Sequence, residues 1–592
     1  MTLIAKLKDA IRAHVTPGMH LHFASTPSRS NAAVREVARA YVGQRPGFTI
    51  SSTGFHSTLH LLPMLGLADR LVACFFGDHY PAPRPNPLYA RAAASGVDLE
   101  HWSLWSMVSA FRAGAQGDAW AIDRSLAGTG IAADLAKRGS YRAIRDPVRD
   151  APIGLLAAQR PDVVFVHGAA ADEDGNVVMS APLSEGMWSA LAATRGVIAS
   201  VERIAPRAWT RTHAGHVALP AHRVLAVCEE PFGAHPQPFF AHPALGIPSY
   251  RDDEQEYERW RGLAADGAVD DAVARMLAAP DGGVAYREAI GPARLYALRT
   301  DASETPRRRS KPWALDAQSL AEARRAAHPS AAPQPMVQAP AGPPNAIDRL
   351  IISGARHLAQ RARAIDARVL FAGIGHAFFA ARIAQIQLAR EGVRLRLVVE
   401  TGLYDVDCGP DGHGYPLAYE NIARAQRLTS IDDILGVVGA GADNRCLAAL
   451  GCAQVDRAGN LNSTQVNGQW LTGSGGACDV AAMAQEVVVL GRASPGRLVE
   501  RVEYVTSPGR AVKSIVTERG VLVRDDAGDW GVTTLAHDPA TDAHGALWAL
   551  REACPWPLDT PFELGFGPPI STSELQVLAA LDPEGLYRRR VT

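Results

Sequence analysis

The chain is poor in the features that most directly announce a function. Its seven cysteines (Cys74, Cys228, Cys408, Cys446, Cys452, Cys478 and Cys554) are scattered, odd in number and never spaced as C-x-x-C, which argues against a zinc site and against a disulfide framework. Sixty basic residues against 61 acidic ones leave a formal net charge of -1, so no global field draws in nucleic acid or anionic lipid. No apolar run is long enough to span a bilayer. The start, from Met1 through Lys8 to Arg12, mixes charge with apolar residues at helical spacing and lacks the apolar stretch and small-residue cleavage site of a signal peptide. The expectation is a reduced, cytoplasmic setting with neither nucleic acid nor membrane as partner.

What is present is the make-up of a globular protein, 47% hydrophobic and 20% charged, within the ordinary range. At 592 residues the chain exceeds one ordinary core and predicts two to four domains. Composition shifts once, between Arg307 and Pro344. A basic run at Arg307, Arg308 and Arg309 leads through a short helix-like piece into an Ala- and Pro-rich stretch from Pro329 to Pro344. Such a stretch favours extended polyproline conformations and buries no face, so it reads as a linker. The run from Arg307 to Lys311 reads as part of that solvated linker, not as a nucleic-acid contact. The expected layout is one half over 1–306, a linker over 307–344 and a second half over 345–592.

Both halves alternate apolar strand-like runs with amphipathic helical stretches, the pattern of two related open-sheet α/β domains with parallel strands covered by helices. Val163 to Val166, Arg368 to Phe371 and Leu395 to Val399 are buried-strand candidates. The halves also echo each other. Asp172-Glu173-Asp174-Gly175-Asn176-Val177 and Asp456-Arg457-Ala458-Gly459-Asn460-Leu461 each follow an apolar run and give a D-x-x-G-N turn, with Gly and Asn tolerating left-handed geometry. Taken alone, two unrelated tight turns is the simpler reading of this match.

In the second half, Val369-Leu370-Phe371-Ala372-Gly373-Ile374-Gly375 precedes a helix-like stretch to Ala389 and then Leu395-Arg396-Leu397-Val398-Val399-Glu400. A strand, a Gly-x-Gly turn, a helix and a strand ending in an acid also outline a dinucleotide-binding unit, with Glu400 at the ribose. Against that, Phe378 occupies the place of the third glycine, where a ring obstructs close packing of helix on strand. The other reading makes Glu400 a nucleophile at the carboxyl end of a parallel strand, where ligands bind in open α/β sheets, with Gly402 allowing a sharp turn and close approach. An isolated glutamate at a strand end also serves as a plain surface charge. Further on, Leu471-Thr472-Gly473-Ser474-Gly475-Gly476-Ala477 can turn several backbone N–H groups toward one point, as a developing oxyanion requires, or form an ordinary surface loop. Glu503-Tyr504-Val505-Thr506-Ser507-Pro508-Gly509 reads as a strand running into a turn.

Four motifs occur in one order: Val399-Glu400-Thr401-Gly402-Leu403; Gly451-Cys452-Ala453-Gln454-Val455-Asp456 with Gly459-Asn460-Leu461-Asn462-Ser463-Thr464; Thr472-Gly473-Ser474-Gly475-Gly476-Ala477; and Tyr504-Val505-Thr506-Ser507-Pro508-Gly509. Together they resemble the B subunit of the glutaconate CoA-transferase type, a family I coenzyme A transferase. The first half resembles the partner A subunit through Asp9-Ala10-Ile11 with Pro17-Gly18, through Pro161-Asp162-Val163 with Asp174-Gly175-Asn176-Val177, and through Pro231-Phe232-Gly233-Ala234-His235-Pro236. The resemblance is thinner over the first hundred residues.

That resemblance implies two fused subunits with the active site in a cleft between the halves. It implies Glu400 as the attacking carboxylate, passing through an acyl-glutamyl anhydride and a glutamyl-CoA thioester. It places Gly475 and Gly476 near the oxyanion, and Gly373 and Gly375 where the backbone approaches the thioester. Coenzyme A is then a co-substrate, no cofactor or metal is required, and the fused chain forms a homodimer in the simplest case. Two departures stand out. The turn after the first strand reads Leu21-His22-Phe23-Ala24-Ser25-Thr26-Pro27-Ser28-Arg29, without glycine, and Ala377 stands where the family often has proline. Acyl specificity therefore does not follow from the family's substrates. Ser25 and Arg29 are substrate-binding candidates, Arg29 for a carboxylate or a CoA phosphate. Some relatives of the fold hydrolyse an acyl-CoA or cleave a C–C bond with an acid in the first half, and Asp78, between Gly77 and His79, is a candidate for that work. A non-catalytic thioester-binding protein is a third reading. His56 and His60 have the spacing of helical metal ligands but lack the intervening H-E-x-x-H glutamate.

Overall fold

Nine consecutive residues, Val163 to Ala171, are all buried, as expected of a strand covered on both faces. Alternate side chains serve opposite cores: Val163 and Phe165 pack with Val34, Val37, Phe48 and Trp260, whereas Val164 and Val166 pack with Val197, Ala199 and Val201. The computed structural model describes residues 3–300, 343–406, 412–441, 444–538, 541–560 and 564–588. The linker expected over 307–344 lies outside the described residues up to 342, as does Cys408.

The chain divides into two units. Unit 1 comprises residues 1–306 together with 428–434 and 468–476, and unit 2 comprises 307–427, 435–467 and 477–592. Two short pieces of the second half, including the glycine-rich loop, thus pack into unit 1.

The unit 1 sheet contains β1 (His20–Phe23), β2 (Phe48–Ser51), β3 (Ala68–Ala73), β4 (Asp98–His101), β5 (Val163–Ala171), β6 (Gly196–Ile204) and β7 (Val224–Glu229). They run parallel in the order β4-β3-β2-β1-β5-β6-β7. The first strand is central, the next three lie on one side and the last three on the other. Unit 2 has β8 (Val369–Ala372), β9 (Arg396–Val399), β10 (Cys446–Leu450), β11 (Glu486–Leu490) and β12 (Val512–Val516), parallel in the order β9-β8-β10-β11-β12. Again the first strand is central and the chain crosses it to continue. In both units the strand order reverses beside the first strand, and ligands bind at the carboxyl ends at such a reversal. Helix starts follow local chemistry. Ser30 Oγ accepts from Ala33 N at the head of helix Asn31–Tyr41, and Asn345 with Asp348 forms a capping box on helix Ala346–Ala364. Among the described residues no helix is long and apolar enough to cross a membrane.

The D-x-x-G-N echo is one turn used twice. After β5, Asn176 N donates to Asp172 Oδ1 at 2.9 Å and Gly175 N to Asp172 O at 3.0 Å; after β10, Asn460 N donates to Asp456 Oδ1 at 2.8 Å and Gly459 N to Asp456 O at 2.8 Å. Gly175 and Gly459 have φ of +99° and +82°, where a Cβ is disfavoured. Each asparagine also fixes the next segment, with Ala221 N donating to Asn176 Oδ1 and Gly509 N to Asn460 Oδ1. Gly509 lies so close to this turn that a Cβ there would stand 2.3 Å from the carbonyl carbon of Gly459, which explains the Pro508-Gly509 pair. Asp172 and Asp456 are buried, so Asp172→Ala and Asp456→Ala should each cost about 2–3 kcal/mol. The check is a lower denaturant midpoint than that of substitutions at the exposed Asp174.

Candidate active site

Glu400 stands in the turn of a hairpin. Val399 pairs with Leu403 of the antiparallel strand Leu403–Val406, Gly402 N donates to Val399 O at 3.1 Å, and Gly402 has φ of +124°. The turn therefore holds three residues, Glu400, Thr401 and Gly402. Beside it the central strand β8 ends at Gly373 and Gly375. Gly373 N donates to Ala449 O at 2.9 Å, and a Cβ on Gly373 would meet backbone atoms of β10 and its exit at no less than 3.7 Å. Protein packing alone therefore does not demand a glycine at 373. Gly375 caps helix His376–Arg390 with φ 98° and ψ −139°, a region open to glycine alone. At the head of that 15-residue helix Phe378 N and Phe379 N both donate to Gly375 O, at 3.0 and 3.3 Å. Phe378 is fully buried in the same helix, so the ring that displaces the third glycine of a dinucleotide fingerprint is part of the core.

Burial pushes the Glu400 carboxyl above its ordinary pKa, an effect eased in part by its own backbone N–H. The next residue, Thr401, is buried and its Oγ1 makes no hydrogen bond among the described residues. Thr401 was not among the residues the sequence singled out, although its place next to an acid at a strand end was a usable signal. Because the folded carboxyl holds its proton more tightly than the unfolded one, stability falls as pH rises from the ordinary carboxyl range through the raised pKa, and the cost is fully present above it. Glu400→Gln should therefore raise the thermal midpoint at pH 8, with the gain shrinking as pH drops toward 5. An unchanged midpoint at pH 8 counts against a desolvated carboxylate.

The glycine-rich loop belongs to unit 1, where it is stitched between β3 and β4. Phe76 N donates to Thr472 O at 2.7 Å, Gly475 N to Cys74 O at 2.9 Å, and Leu104 N to Gly475 O at 3.1 Å. Ser474 N donates to His101 Nε2 at 2.9 Å. The Gly475 N–H, expected near an oxyanion, already has a carbonyl acceptor. Burial lowers the His101 imidazole to about 4, keeping it a neutral acceptor for Ser474. Gly473 has φ of +102°, and a Cβ there would stand 2.7 Å from both Cys74 O and His101 Nε2. Gly473→Ala should dislodge the loop, seen as faster amide exchange at Ser474 and Gly475.

The remaining unit 1 candidates are spread over the carboxyl side of that sheet. Ser25 follows β1 with φ of +67°, its N–H donating to Glu185 Oε1 at 2.8 Å. A non-glycine residue thus takes this left-handed turn. Arg29 is fully buried and donates to Gly54 O at 2.6 Å and His56 O at 3.4 Å. Asp78 is held by Asn86 Nδ2 at 3.1 Å, by His60 Nε2 at 3.3 Å and by Arg84 at 3.6 Å. With its oxygens so engaged, Asp78 braces the Gly77–Arg84 turn and is a poor general base. His60 also contacts Tyr89 OH at 2.7 Å, while His56 stacks on His79 with centroids 3.7 Å apart; the two histidines do not converge as metal ligands.

The fold of two doubly wound units has a solved counterpart. The acyl-CoA transferase of Escherichia coli O157:H7 shares this fold with a TM-score of 0.61 over 97% of this chain and 96% of that one, at 15% identity. Residues 4–230 match the family described as Coenzyme A transferase. The 3-oxoadipate CoA-transferase of Pseudomonas knackmussii is similar through both of its polypeptides. Its A subunit is 29% identical over 173 residues, 29% of this chain and 56% of that one, and its B subunit is 28% identical over 128 residues, 18% of this chain and 49% of that one. The B subunit of glutaconate CoA-transferase from Acidaminococcus fermentans is 37% identical over 71 residues, 11% of this chain and 26% of that one. These matches span from about a quarter to about half of the relatives' own lengths. Residues 4–230 are thus similar to the coenzyme A transferase family, and the chain carries sequence akin to both kinds of subunit in one polypeptide.

Proposed function

We propose that the protein moves coenzyme A from an acyl-CoA to a carboxylic acid, with Glu400 as the group that carries CoA between them. The observation that carries this reading is a half-buried carboxylate, its pKa raised by burial, in a glycine hairpin turn at the carboxyl end of β9, beside the glycines that end β8. Glu400 Oε attacks the thioester carbonyl and the C–S bond breaks, giving an acyl-glutamyl anhydride and CoA thiolate. The thiolate then attacks the glutamyl carbonyl and releases the first acid, leaving a glutamyl-CoA thioester. An acceptor carboxylate reverses both steps. A carboxylate is a weak nucleophile in water and a better one when desolvated and held in attack geometry. Gly373 and Gly375 give the thioester room, and N–H donors at the helix head are the candidates for stabilising the tetrahedral oxyanions. Coenzyme A enters as co-substrate, and a homodimer is the simplest assembly of a fused chain.

The test is mass spectrometry of the whole protein and its peptides after incubation with a panel of acyl-CoAs, with borohydride reduction as a second trap. A CoA adduct on the Glu400 peptide, absent in Glu400→Ala, is expected. Consumption of acyl-CoA without an adduct, continuing in Glu400→Ala, would transfer the reading to a hydrolase or a C–C bond cleaving enzyme. CoA binding without turnover or adduct would leave a thioester-binding protein.

A further inference from the structure

Thr401 follows the proposed nucleophile, and the two are the residues enclosed by the hydrogen bond from Gly402 N to Val399 O in the turn after β9. Their Cα atoms stand about 3.8 Å apart across one peptide bond, a distance that a glutamate side chain spans. The carboxylate folds back over this turn, since the Glu400 N–H is close enough to favour its charged form.

Thr401 is buried, and its Oγ1 makes no hydrogen bond among the described residues. A hydroxyl can donate once and accept twice, and burying it with none of these bonds made is a net cost to stability. Packing alone would be served as well by valine, which has the same shape with a methyl in place of the hydroxyl. Nor does the hydroxyl shape the turn, because a side chain that does so bonds to nearby backbone groups, and this one bonds to none. An orphaned buried group of this kind asks for a role that the resting structure does not show.

The second stage of the transfer supplies the missing acceptor. In the anhydride the carbon under attack is Glu400 Cδ. When the CoA thiolate adds there, the C–S bond forms and the electron pair of the glutamyl C=O moves onto Glu400 Oε. Collapse restores the C=O and breaks the C–O bond to the first acid, which leaves as a carboxylate. The oxyanion therefore stands on Glu400 itself, and its donors must come from groups beside Glu400 in unit 2. The Glu400 N–H is one of them.

We propose that the Thr401 hydroxyl donates a hydrogen bond to the Glu400 oxyanion in the tetrahedral intermediates formed on the glutamyl carbon, as a second donor beside the Glu400 N–H, which makes Thr401 a catalytic residue. The hydroxyl keeps its proton throughout. Because it is unbonded at rest, the contact is made in the intermediate and not in the ground state, the condition for accelerating the step. This deepens the transfer reading above and rests on it.

The experiment compares the native chain with Thr401→Val, Thr401→Ser and Thr401→Ala by rapid quench and mass spectrometry, following the CoA adduct on the Glu400 peptide. The probe is acetyl-, butyryl- or succinyl-CoA, whichever loads the native protein fastest. At saturating acyl-CoA, Thr401→Val should form the adduct at least about tenfold more slowly, with its affinity for acyl-CoA changed by less than about threefold. It should melt no lower than the native protein, because it removes an orphaned hydroxyl. Thr401→Ser should stay within about threefold of the native rate. The inference is overturned if Thr401→Val is slowed by less than about tenfold, or if Thr401→Ser is slowed as much as Thr401→Val, as a packing role for the methyl predicts. Where Thr401→Val fails to fold, Thr401→Ala against Thr401→Ser carries the same comparison, since both lose the methyl and only one loses the hydroxyl; equal rates overturn the inference. A native protein that forms no adduct with any of the three probes defeats the transfer reading and this one with it, whereas an adduct formed at native speed by Thr401→Val defeats this one alone.

Discussion

The structure depends on placing the first strand of each sheet in the middle. With β8 between β9 and β10, the chain leaves β8 toward one neighbour and must later cross to the other. The segments leaving the carboxyl ends therefore part at β8, where helix His376–Arg390 begins. Every residue assigned a chemical role in unit 2 follows from this parting. Gly373 and Gly375 end β8, and Glu400 ends β9. The neighbouring strands fix all three, so the carboxylate is positioned by the sheet and not by a free loop.

The same constraint sets the electrostatics. A charge at the end of a parallel strand is drawn in by the surrounding helices, and burial penalises its ionised form. Glu400 meets that penalty with one local donor, its own N–H, and a glycine turn that adds no compensating cation. A surface carboxylate would be more stable and less nucleophilic. Burial of Glu400 thus lowers stability in the direction that raises reactivity, a trade common at functional sites.

Much of the frame was legible because it is written in local chemistry. Runs such as Val163 to Val166 announce strands buried on both faces, and the D-x-x-G-N turns announce themselves because Asp, Gly and Asn each have one geometric task within five residues. The place of Glu400 at a strand end was legible because a threonine and a glycine follow an apolar run that ends in the acid. The glycine-rich loop was legible as a motif but not as a location. Its place in unit 1 is set by Phe76, Cys74, His101 and Leu104, nearly four hundred residues upstream, and no spacing rule encodes that pairing. The same pairing removes the Gly475 N–H from the expected oxyanion role. Asp78 looked reactive in sequence and is braced in structure for a similar reason: Asn86, His60 and Arg84 converge on it only once folded.

The two units also show why one carries the carboxylate and the other does not. The strand β2 occupies in unit 1 the place of β9 in unit 2, and the residues closing them read Ser51-Ser52-Thr53-Gly54 and Val399-Glu400-Thr401-Gly402. Thr and Gly recur in step, and the residue before them differs. In unit 1 it is Ser52, fully buried, whose hydroxyl donates to Phe23 O at 2.9 Å and ties β2 to β1. A glutamate there would lose that bond and bury a charge without a partner. In unit 2 the chain turns back at once into Leu403–Val406, which brings Glu400 to the tip of a hairpin where part of the residue still meets solvent. The same frame can therefore hold a sealed hydroxyl in one unit and a half-exposed carboxylate in the other, because the turn that follows the strand decides whether the position is sealed or presented.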